Sequence, residues 1–383
     1  MRSRALVVVV SVILFFGPAF AYLAGERGRP IENRSPTGFS ELHVGWDGLS
    51  VLGAFISDRI PLRQRAVRVD SWIDRRLFHE DPAFGGGSSP RVALGDGGFL
   101  FLTDDAELAC NAPLQPEEII SRLDAYADAV LESGRRFVIA IAPNKSTLLD
   151  DLVPSTMLAK DCWNRYRNEF WGRFADAPPS GYVDILQPLI RERGSTRQDL
   201  FLRKDTHWDS SGSIVAVETV VNALAPDVWD SNAVKFRGMS TYAGDLTFIL
   251  GAPEEDEAPN YVVERTEVRA GVTEDFAPSN TVQIYRHYTN QSDGAPFVPG
   301  RTLLITDSFG VAPLNQIIPW FEDLTIVHVD ARDPLSIVAL IEKSDTVWLM
   351  FVERSASVYA NFYFGEQAPL DALRTIAPRK AEG

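Results

Sequence analysis

The sequence predicts an α/β protein with a doubly wound, mostly parallel sheet that starts near residue 91. Apolar runs of strand length alternate with segments whose apolar residues recur at helical spacing, which is the order expected when helices connect parallel strands. Residues 236–300 break this alternation with a less regular segment of β character. We interpret that segment as an insertion into the α/β domain, near its active-site end.

The individual elements follow from local patterns. Residues 91–102 predict a hairpin, because two short apolar stretches flank a Gly-Asp-Gly-Gly turn. Helices are predicted at 116–133, 164–174, 210–224 and 334–343, and strands at 137–142, 182–186, 302–306, 325–329 and 346–352. Upstream, residues 46–90 contain two helical patterns, and residues 26–45 are typical of a linker. The main domain is therefore predicted to span residues 91–383.

The N-terminus predicts export. Arg2 and Arg4 precede an apolar run over residues 5–25, about the ~20 residues that a membrane-spanning helix needs. The arginines place the short N-terminus in the cytoplasm and the rest of the chain across the membrane. A cleaved signal peptide would also fit, since residues 19–21 resemble a small-x-small cleavage site, but the length of the run favours a retained single-pass anchor.

Composition excludes one class of function. The formal charge of -15 and the pI near 4.9 argue against a nucleic-acid role, because such proteins need clustered Lys and Arg. The chain has two cysteines, Cys110 and Cys162, which are expected to form one disulfide in an oxidising compartment, although two separate thiols are the alternative. No metal-ligand spacing involves them, and no metal or cofactor is predicted.

A first candidate site lies at residues 204–209, just before the helix predicted at 210–224. Asp205 and His207 are two residues apart, so in an extended or turn segment their side chains project to the same side. A histidine oriented by a carboxylate is what general-base activation of an alcohol needs. The alternative is that Asp205 or Asp209 caps the helix and His207 is structural.

A second candidate site follows the strand at 302–306. A serine on the strand-to-helix turn at the carboxyl end of such a strand is exposed for attack, which makes Ser308 the candidate nucleophile. Its backbone N–H, with nearby loop donors, is placed to hold a developing oxyanion. The alternative is a serine in a routine turn, since Asp-Ser-x-Gly is common. Finding both sites in one chain favours the catalytic interpretation.

Four further residues are predicted to line the substrate site. Asn144 and Lys145 follow the strand at 137–142, and Arg354 follows the strand at 346–352, so all three lie at the same carboxyl edge. For Asn144 and Lys145 the alternative is a helix-start cap. Arg354 is suited to hold a carbonyl or a carboxylate, although an ordinary ion pair is the alternative. Trp208 could stack on a sugar or pack in the core. The four other histidines have no partner pattern and are treated as structural: His43, His79, His287 and His328.

These motifs together resemble those of the alginate O-acetyltransferase family of AlgJ and AlgX type, which is SGNH-hydrolase-like. The matching segments are DTHW at 205–208, TDSF at 306–309, GDGGFLFL at 95–102, PNK at 143–145 and ER at 353–354. The resemblance implies a triad of Asp205, His207 and Ser308, an exported and often anchored protein, and acetyl transfer to exopolysaccharide hydroxyls. Thr306 departs from the family, in which this position is often glycine.

The resemblance also implies partners. The acceptor is expected to be a polysaccharide, and the acetyl donor to be supplied by a membrane-bound O-acyltransferase. The mechanism expected is acylation of Ser308 followed by transfer to a sugar hydroxyl. Two other functions stay open at this point: an acetylesterase that uses the same residues with water as acceptor, and a non-catalytic glycan-binding or assembly scaffold.

Overall fold

The computed structural model describes residues 16–26, 55, 59, 91–155, 157, 159–250, 253–275, 285–331 and 333–378. Nearly all of the predicted linker and of the predicted helices in residues 46–90 lie outside this set. Residues 16–23 are helical, whereas residues 5–15 of the predicted anchor are not among the described residues. None of the described helices combines the length and apolar character needed to cross a membrane.

The chain divides into two compact units. Of the described residues, those within 1–102, 203–205 and 243–256 form the smaller unit, and the others form the larger unit. The predicted domain boundary near residue 91 stays a prediction.

The smaller unit is built on the predicted hairpin. Strands β1 (Val92–Leu94) and β2 (Leu100–Leu102) pair antiparallel, which confirms that prediction. Gly97 and Gly98 adopt positive φ in the turn, a conformation that favours glycine. The apolar side chains of the hairpin pack with those of the helix Asp245–Ile249 and the residue after it, in a cluster of Val92, Leu100, Leu102, Leu246 and Leu250.

The remaining strands are β3 (Arg136–Ala142), β4 (Val234–Ala243), β5 (Glu255–Val263), β6 (Val268–Asp275), β7 (Tyr285–Ser292), β8 (Val298–Thr306), β9 (Phe321–His328) and β10 (Thr346–Val352). Six of them form one sheet in the order β3-β10-β8-β9-β7-β6. The first four strands in that order are parallel, and β7 and β6 are antiparallel. The predicted mostly parallel α/β sheet is therefore confirmed.

The segment predicted as an insertion, residues 236–300, contributes to this sheet. Its strands β6 and β7 extend the edge beside β9, whereas β4 and β5 form a separate two-stranded pair. Strands β6 and β7 run antiparallel to their neighbours, unlike the parallel strands that a helix-strand alternation predicts.

The main helices have the bounds Asp104–Cys110, Pro116–Glu132, Lys160–Asp176, Leu186–Thr196, Ser210–Leu224, Pro334–Glu342 and Gln367–Thr375. The Ser210–Leu224 helix begins where predicted, because the Asp209 carboxylate accepts the N–H groups of Ser211 and Gly212. The strand predicted at 182–186 is wrong. Only one parallel bridge forms there, from Tyr182 to Ile139, and the Asp184 carboxylate then accepts the N–H of Leu186 and starts a helix.

Helices cover both faces of the sheet. One face carries the main apolar core, in which alternate residues of β3, β8 and β10 pack against the helices Pro116–Glu132, Lys160–Asp176 and Pro334–Glu342. The helix Ser210–Leu224 also contacts β3, and its buried side chains lie outside that core. A disulfide joins Cys110 to Cys162, which confirms the predicted bridge. The parallel strands thus end at one edge, where the predicted site residues follow them.

Candidate active site

Ser308 lies on a tight turn at the carboxyl end of β8. Asp307 holds this turn, because its Oδ1 accepts the N–H of Phe309 at 2.9 Å and its Oδ2 accepts the N–H of Val352, at the end of β10, at 2.8 Å. Gly310 is required here, since a Cβ at that position would lie 2.0 Å from Thr306 Oγ1. As the first residue of the helical turn Ser308–Val311, Ser308 has a backbone N–H without an intrahelical acceptor.

The carboxyl group of Asp307 is buried, with 4% exposure. Burial raises its pKa, and the two backbone N–H donors and the charges of Arg354 and His328 oppose that rise. His328 lies on β9 opposite Thr306, and burial lowers its pKa. Its Nδ1 accepts the N–H of Asp330 at 3.2 Å. Asp307 therefore works as a buried structural acceptor under the serine turn.

His207 reaches Ser308 from a loop 101 residues earlier in the chain. The loop is closed at its base by an antiparallel bridge between Phe201 and Trp208, and the N–H of Leu202 donates to the carbonyl of His207. His207 Nε2 lies 2.8 Å from Ser308 Oγ. The imidazole also packs 4.9 Å from the ring centroid of Phe309. A hydroxyl and a ring nitrogen at this distance can exchange a proton.

Asp205 belongs to the smaller unit. It is buried at 9% exposure, and its Oδ2 accepts the N–H of Asp245 at 2.9 Å. The backbone around it is tightly packed, since a Cβ on Gly244 would lie 2.0 Å from the carbonyl oxygen of Lys204. The predicted role of Asp205 in orienting His207 stays a prediction.

Asn144 and Arg354 lie in a buried hydrogen-bonded cluster that joins the ends of β3 and β10. The Asn144 N–H and the Thr147 hydroxyl donate to Glu353 Oε2 at 3.0 Å and 2.7 Å. Asn144 Oδ1 accepts the N–H of Arg354 at 3.2 Å. Burial raises the pKa of Glu353 to about 7, although both hydrogen bonds oppose the rise.

The Arg354 side chain lies between this cluster and the serine turn. Its Nη1 is 3.5 Å from Asp105 Oδ1, and its Cζ is 5.4 Å from the ring centroid of Phe309. Asp105 is 2% exposed and also accepts the hydroxyl of Ser146 at 2.7 Å. Burial raises the pKa of Asp105, whereas the charges of Arg354 and Lys145 lower it. Arg354 thus forms the ion pair that the sequence offered as the alternative, and it also lies near the serine turn as predicted.

Lys145 and Trp208 are buried, at 3% exposure each. The Trp208 ring packs edge-on against Phe309, with the centroids 5.3 Å apart, which fits the core-packing alternative. Sequence reasoning missed Asp105 and the buried role of Glu353, because their partners lie at least 41 residues away in the chain. The available signal was that Asn144 and Glu353 each follow the end of an apolar strand.

In a comparison with known protein families, residues 92–282 match the family described as "SGNH hydrolase-like domain, acetyltransferase AlgX". This range includes Asp205 and His207 and ends before Ser308. A protein of Pseudomonas syringae pv. tomato named "Probable alginate O-acetylase AlgJ" is 25% identical over 205 residues, which cover 50% of this chain and 48% of that protein. A protein of the same name from Pseudomonas putida is 24% identical over 201 residues, again 50% and 48% of the two chains. The match thus spans about half the length of these curated relatives.

A solved structure shows the same fold. Bacillus cereus PatB1 with a sulfonyl adduct superposes with a TM-score of 0.52 at 13% identity, over 72% of this chain and 98% of that chain. The family match and this superposition confirm an SGNH-hydrolase-like fold. Through residues 92–282, the chain therefore carries an SGNH hydrolase-like domain of the AlgX acetyltransferase family.

Proposed function

We propose that this protein is an O-acetyltransferase that moves acetyl groups onto hydroxyls of an extracytoplasmic polysaccharide through an acyl-serine at Ser308. The observation that carries the proposal is the 2.8 Å distance between His207 Nε2 and Ser308 Oγ at the carboxyl end of the sheet. The family match and the names of the curated relatives support acetyl transfer as the reaction type.

The reaction proceeds in two exchanges. His207 Nε2 takes the proton of Ser308 as Oγ bonds to the carbonyl carbon of the donor ester, and the donor alcohol leaves with that proton. A sugar hydroxyl then gives its proton to His207 and attacks the acyl-serine. The new sugar ester departs as the proton returns to Ser308 Oγ. No oxidant, metal or cofactor is needed for these bonds to form and break.

Several groups of the site support the transition states. The N–H of Ser308 and the Nδ2 of Asn144 donate to the developing oxyanion, since Asn144 Oδ1 already accepts the N–H of Arg354. Asp205 holds the imidazole of His207 in the productive orientation and stabilises its positive charge. Lys145 acts through its charge on Asp105 and Trp208 through its packing on Phe309, and we assign Arg354 to contact the substrate.

The setting of the reaction follows from the same proposal. A membrane-bound O-acyltransferase supplies the acetyl donor, and the N-terminal apolar segment keeps this chain at the membrane with its catalytic domain on the extracytoplasmic side. The disulfide between Cys110 and Cys162 supports that location, because such bonds persist in oxidising compartments.

The test is turnover of a chromogenic acetyl ester by the full chain in detergent, with and without oligosaccharide acceptors. Activity that is lost in Ser308→Ala and that yields acetylated sugar when acceptor is added supports the transferase. Activity that needs Ser308 but releases only acetate would make the protein an acetylesterase. If Ser308→Ala keeps full turnover, the acyl-serine proposal fails.

A further inference from the structure

An open groove of about 530 Å³ lies beside the serine turn. Its charged and aromatic lining consists of Asp330, Arg354, Tyr359, Phe362, Tyr363 and Glu366. Asp330 lies two residues after the end of β9 and Arg354 two residues after the end of β10. Arg354 connects this lining with the serine turn, because its guanidinium lies 5.4 Å from the ring of Phe309, the neighbour of Ser308.

The groove presents an aromatic surface to solvent. Phe362 is 55% exposed, whereas Phe364 in the same segment is 2% exposed. Both belong to the π-helical turn Ala360–Phe364, a type of turn that is rare and frequently found at functional sites. The rings of Tyr359 and Tyr363 meet edge-on with centroids 5.6 Å apart. An exposed flat ring in a groove is suited to the apolar C–H face of a sugar.

The accessible charge in the groove is negative. Asp330 Oδ1 accepts the hydroxyl of Tyr363 at 3.0 Å, and the Asp330 side chain stays 44% exposed. Partial burial, the hydrogen bond to Asp330 and the charges of Asp330 and Glu366 raise the pKa of Tyr363, and both acids line the groove with it. The positive charge of Arg354 is compensated by buried Asp105, 3.5 Å away.

We propose that the groove binds the acceptor, and that this acceptor is a neutral glycan. Phe362 packs against the C–H face of a pyranose ring, and the carboxylates of Asp330 and Glu366 accept hydrogen bonds from sugar hydroxyls. A polyuronate would bring a carboxylate on every sugar next to these two acids, and the like charges would repel. The net charge of -15 acts in the same direction. This inference rests on the proposed transferase function and names its acceptor class.

Binding measured without turnover tests the inference. The full chain carrying Ser308→Ala is titrated calorimetrically with neutral oligosaccharides and with oligouronates of equal length. We expect neutral oligosaccharides to bind at least about tenfold more tightly than oligouronates, a difference of about 1.4 kcal/mol. Phe362→Ala should weaken neutral-glycan binding by a similar factor. The matched control is Phe236→Ala, because Phe236 is equally exposed at 56% and does not line the groove.

A charge reversal sharpens the test. Glu366→Lys should weaken binding of the neutral glycan and strengthen binding of the oligouronate, since it places a cation beside the same ring. The inference would be overturned if the chain with Glu366 intact bound oligouronates more tightly than neutral oligosaccharides. It would also be overturned if Phe362→Ala and Phe236→Ala weakened neutral-glycan binding equally. Ester turnover by the wild-type chain is scored separately. Turnover without neutral-glycan binding rejects the acceptor assignment alone, and binding without Ser308-dependent turnover rejects the acyl-transfer function alone.

Discussion

Two histidines, His207 and His287, each place Nε2 within 3 Å of a partner side chain, in very different surroundings. His207 Nε2 lies 2.8 Å from Ser308 Oγ, on loops beyond the carboxyl end of β8. His287 Nε2 lies 2.9 Å from Asp323 Oδ1, within the paired strands β7 and β9, and Arg301 lies 3.8 Å from the same carboxylate. A short distance alone therefore does not identify a reactive pair.

The difference lies in what surrounds each pair. At the carboxyl end, the chain leaves the sheet at Ser308, so a hydroxyl and a backbone N–H are available to a substrate. In the strands, backbone groups are used by the ladder, and the Asp323 carboxylate lies beside the Arg301 guanidinium as well as His287. Both pairs are partly exposed, with 27% and 21% exposure of the side chains of His287 and Asp323, so hydration does not separate them. We infer that position on the sheet separates a reactive pair from a structural one.

The largest expected effect separates the two histidines directly. His207→Ala should lower ester turnover by about 10²–10⁴-fold, the usual contribution of a general base. His287→Ala should leave turnover near the wild-type value, because its pair lies within the strands. The measurement is initial rates with the chromogenic ester, on variants whose folding is checked by circular dichroism. Similar losses in the two variants would contradict the contrast.

The next effect concerns the buried acid under the serine turn. Asp307→Ala leaves the buried N–H groups of Phe309 and Val352 without their acceptor. An unsatisfied buried donor costs about 1–3 kcal/mol, so we expect the free energy of unfolding to fall by about 3 kcal/mol or more. Urea denaturation measures this change. A loss below about 1 kcal/mol would show that Asp307 does not hold the turn.

Stability should also depend on pH through Glu353. Its pKa is about 7 when folded against an ordinary value of 4.5, so the folded state binds the proton more tightly between these values. Stability is therefore highest below about pH 4.5 for this group and falls by up to about 3 kcal/mol as pH rises to 7. Glu353→Gln should flatten this slope in urea denaturation between pH 5 and pH 7. Exposed Glu132→Gln is the control, and an unchanged slope in Glu353→Gln would refute the assignment.

The smallest effect is expected at the second histidine pair. Asp323→Ala should lower the free energy of unfolding by no more than about 1 kcal/mol, because partly hydrated ion pairs contribute little. The loss should shrink further in about 1 M salt, where charges are screened within a few ångströms. Denaturation at low and high salt measures both. A loss of stability as large as that of Asp307→Ala would contradict the distinction between the serine turn and the His287–Asp323 pair.

Local sequence patterns predicted the elements on which Ser308 and His207 lie. The helix Ser210–Leu224 was predictable because its cap is local: Asp209 accepts N–H groups two and three residues later. The strand before Ser308 was predictable because its residues are apolar. The strand predicted at 182–186 failed because Asp184 caps a helix instead. The edge strands β6 and β7, within residues 236–300, departed from the doubly wound pattern because they pair antiparallel.

Pairings between distant segments were not predictable from one sequence. Asp307 and Val352 are 45 residues apart, and His287 and Asp323 are 36 residues apart. Neither sequence separation indicates a contact, because the register of the sheet brings the two residues of each pair together. Asp105 is similar, because an acid in the first turn of a helix predicts only capping. The proximity of Ser308 to His207 was expected because both segments carried candidate catalytic residues and because the family resemblance implied a triad.

The most direct test of the central claim is the location of the acyl group. The full chain is mixed with an activated acetyl ester, quenched early, digested and sequenced by mass spectrometry, beside His207→Ala and Ser308→Ala. We predict one acetyl group on the peptide containing Ser308, at Ser308 itself, strongly reduced in His207→Ala and absent in Ser308→Ala. Acetylation at another residue in a fully active enzyme, or turnover without any label on Ser308, would contradict the acyl-serine mechanism.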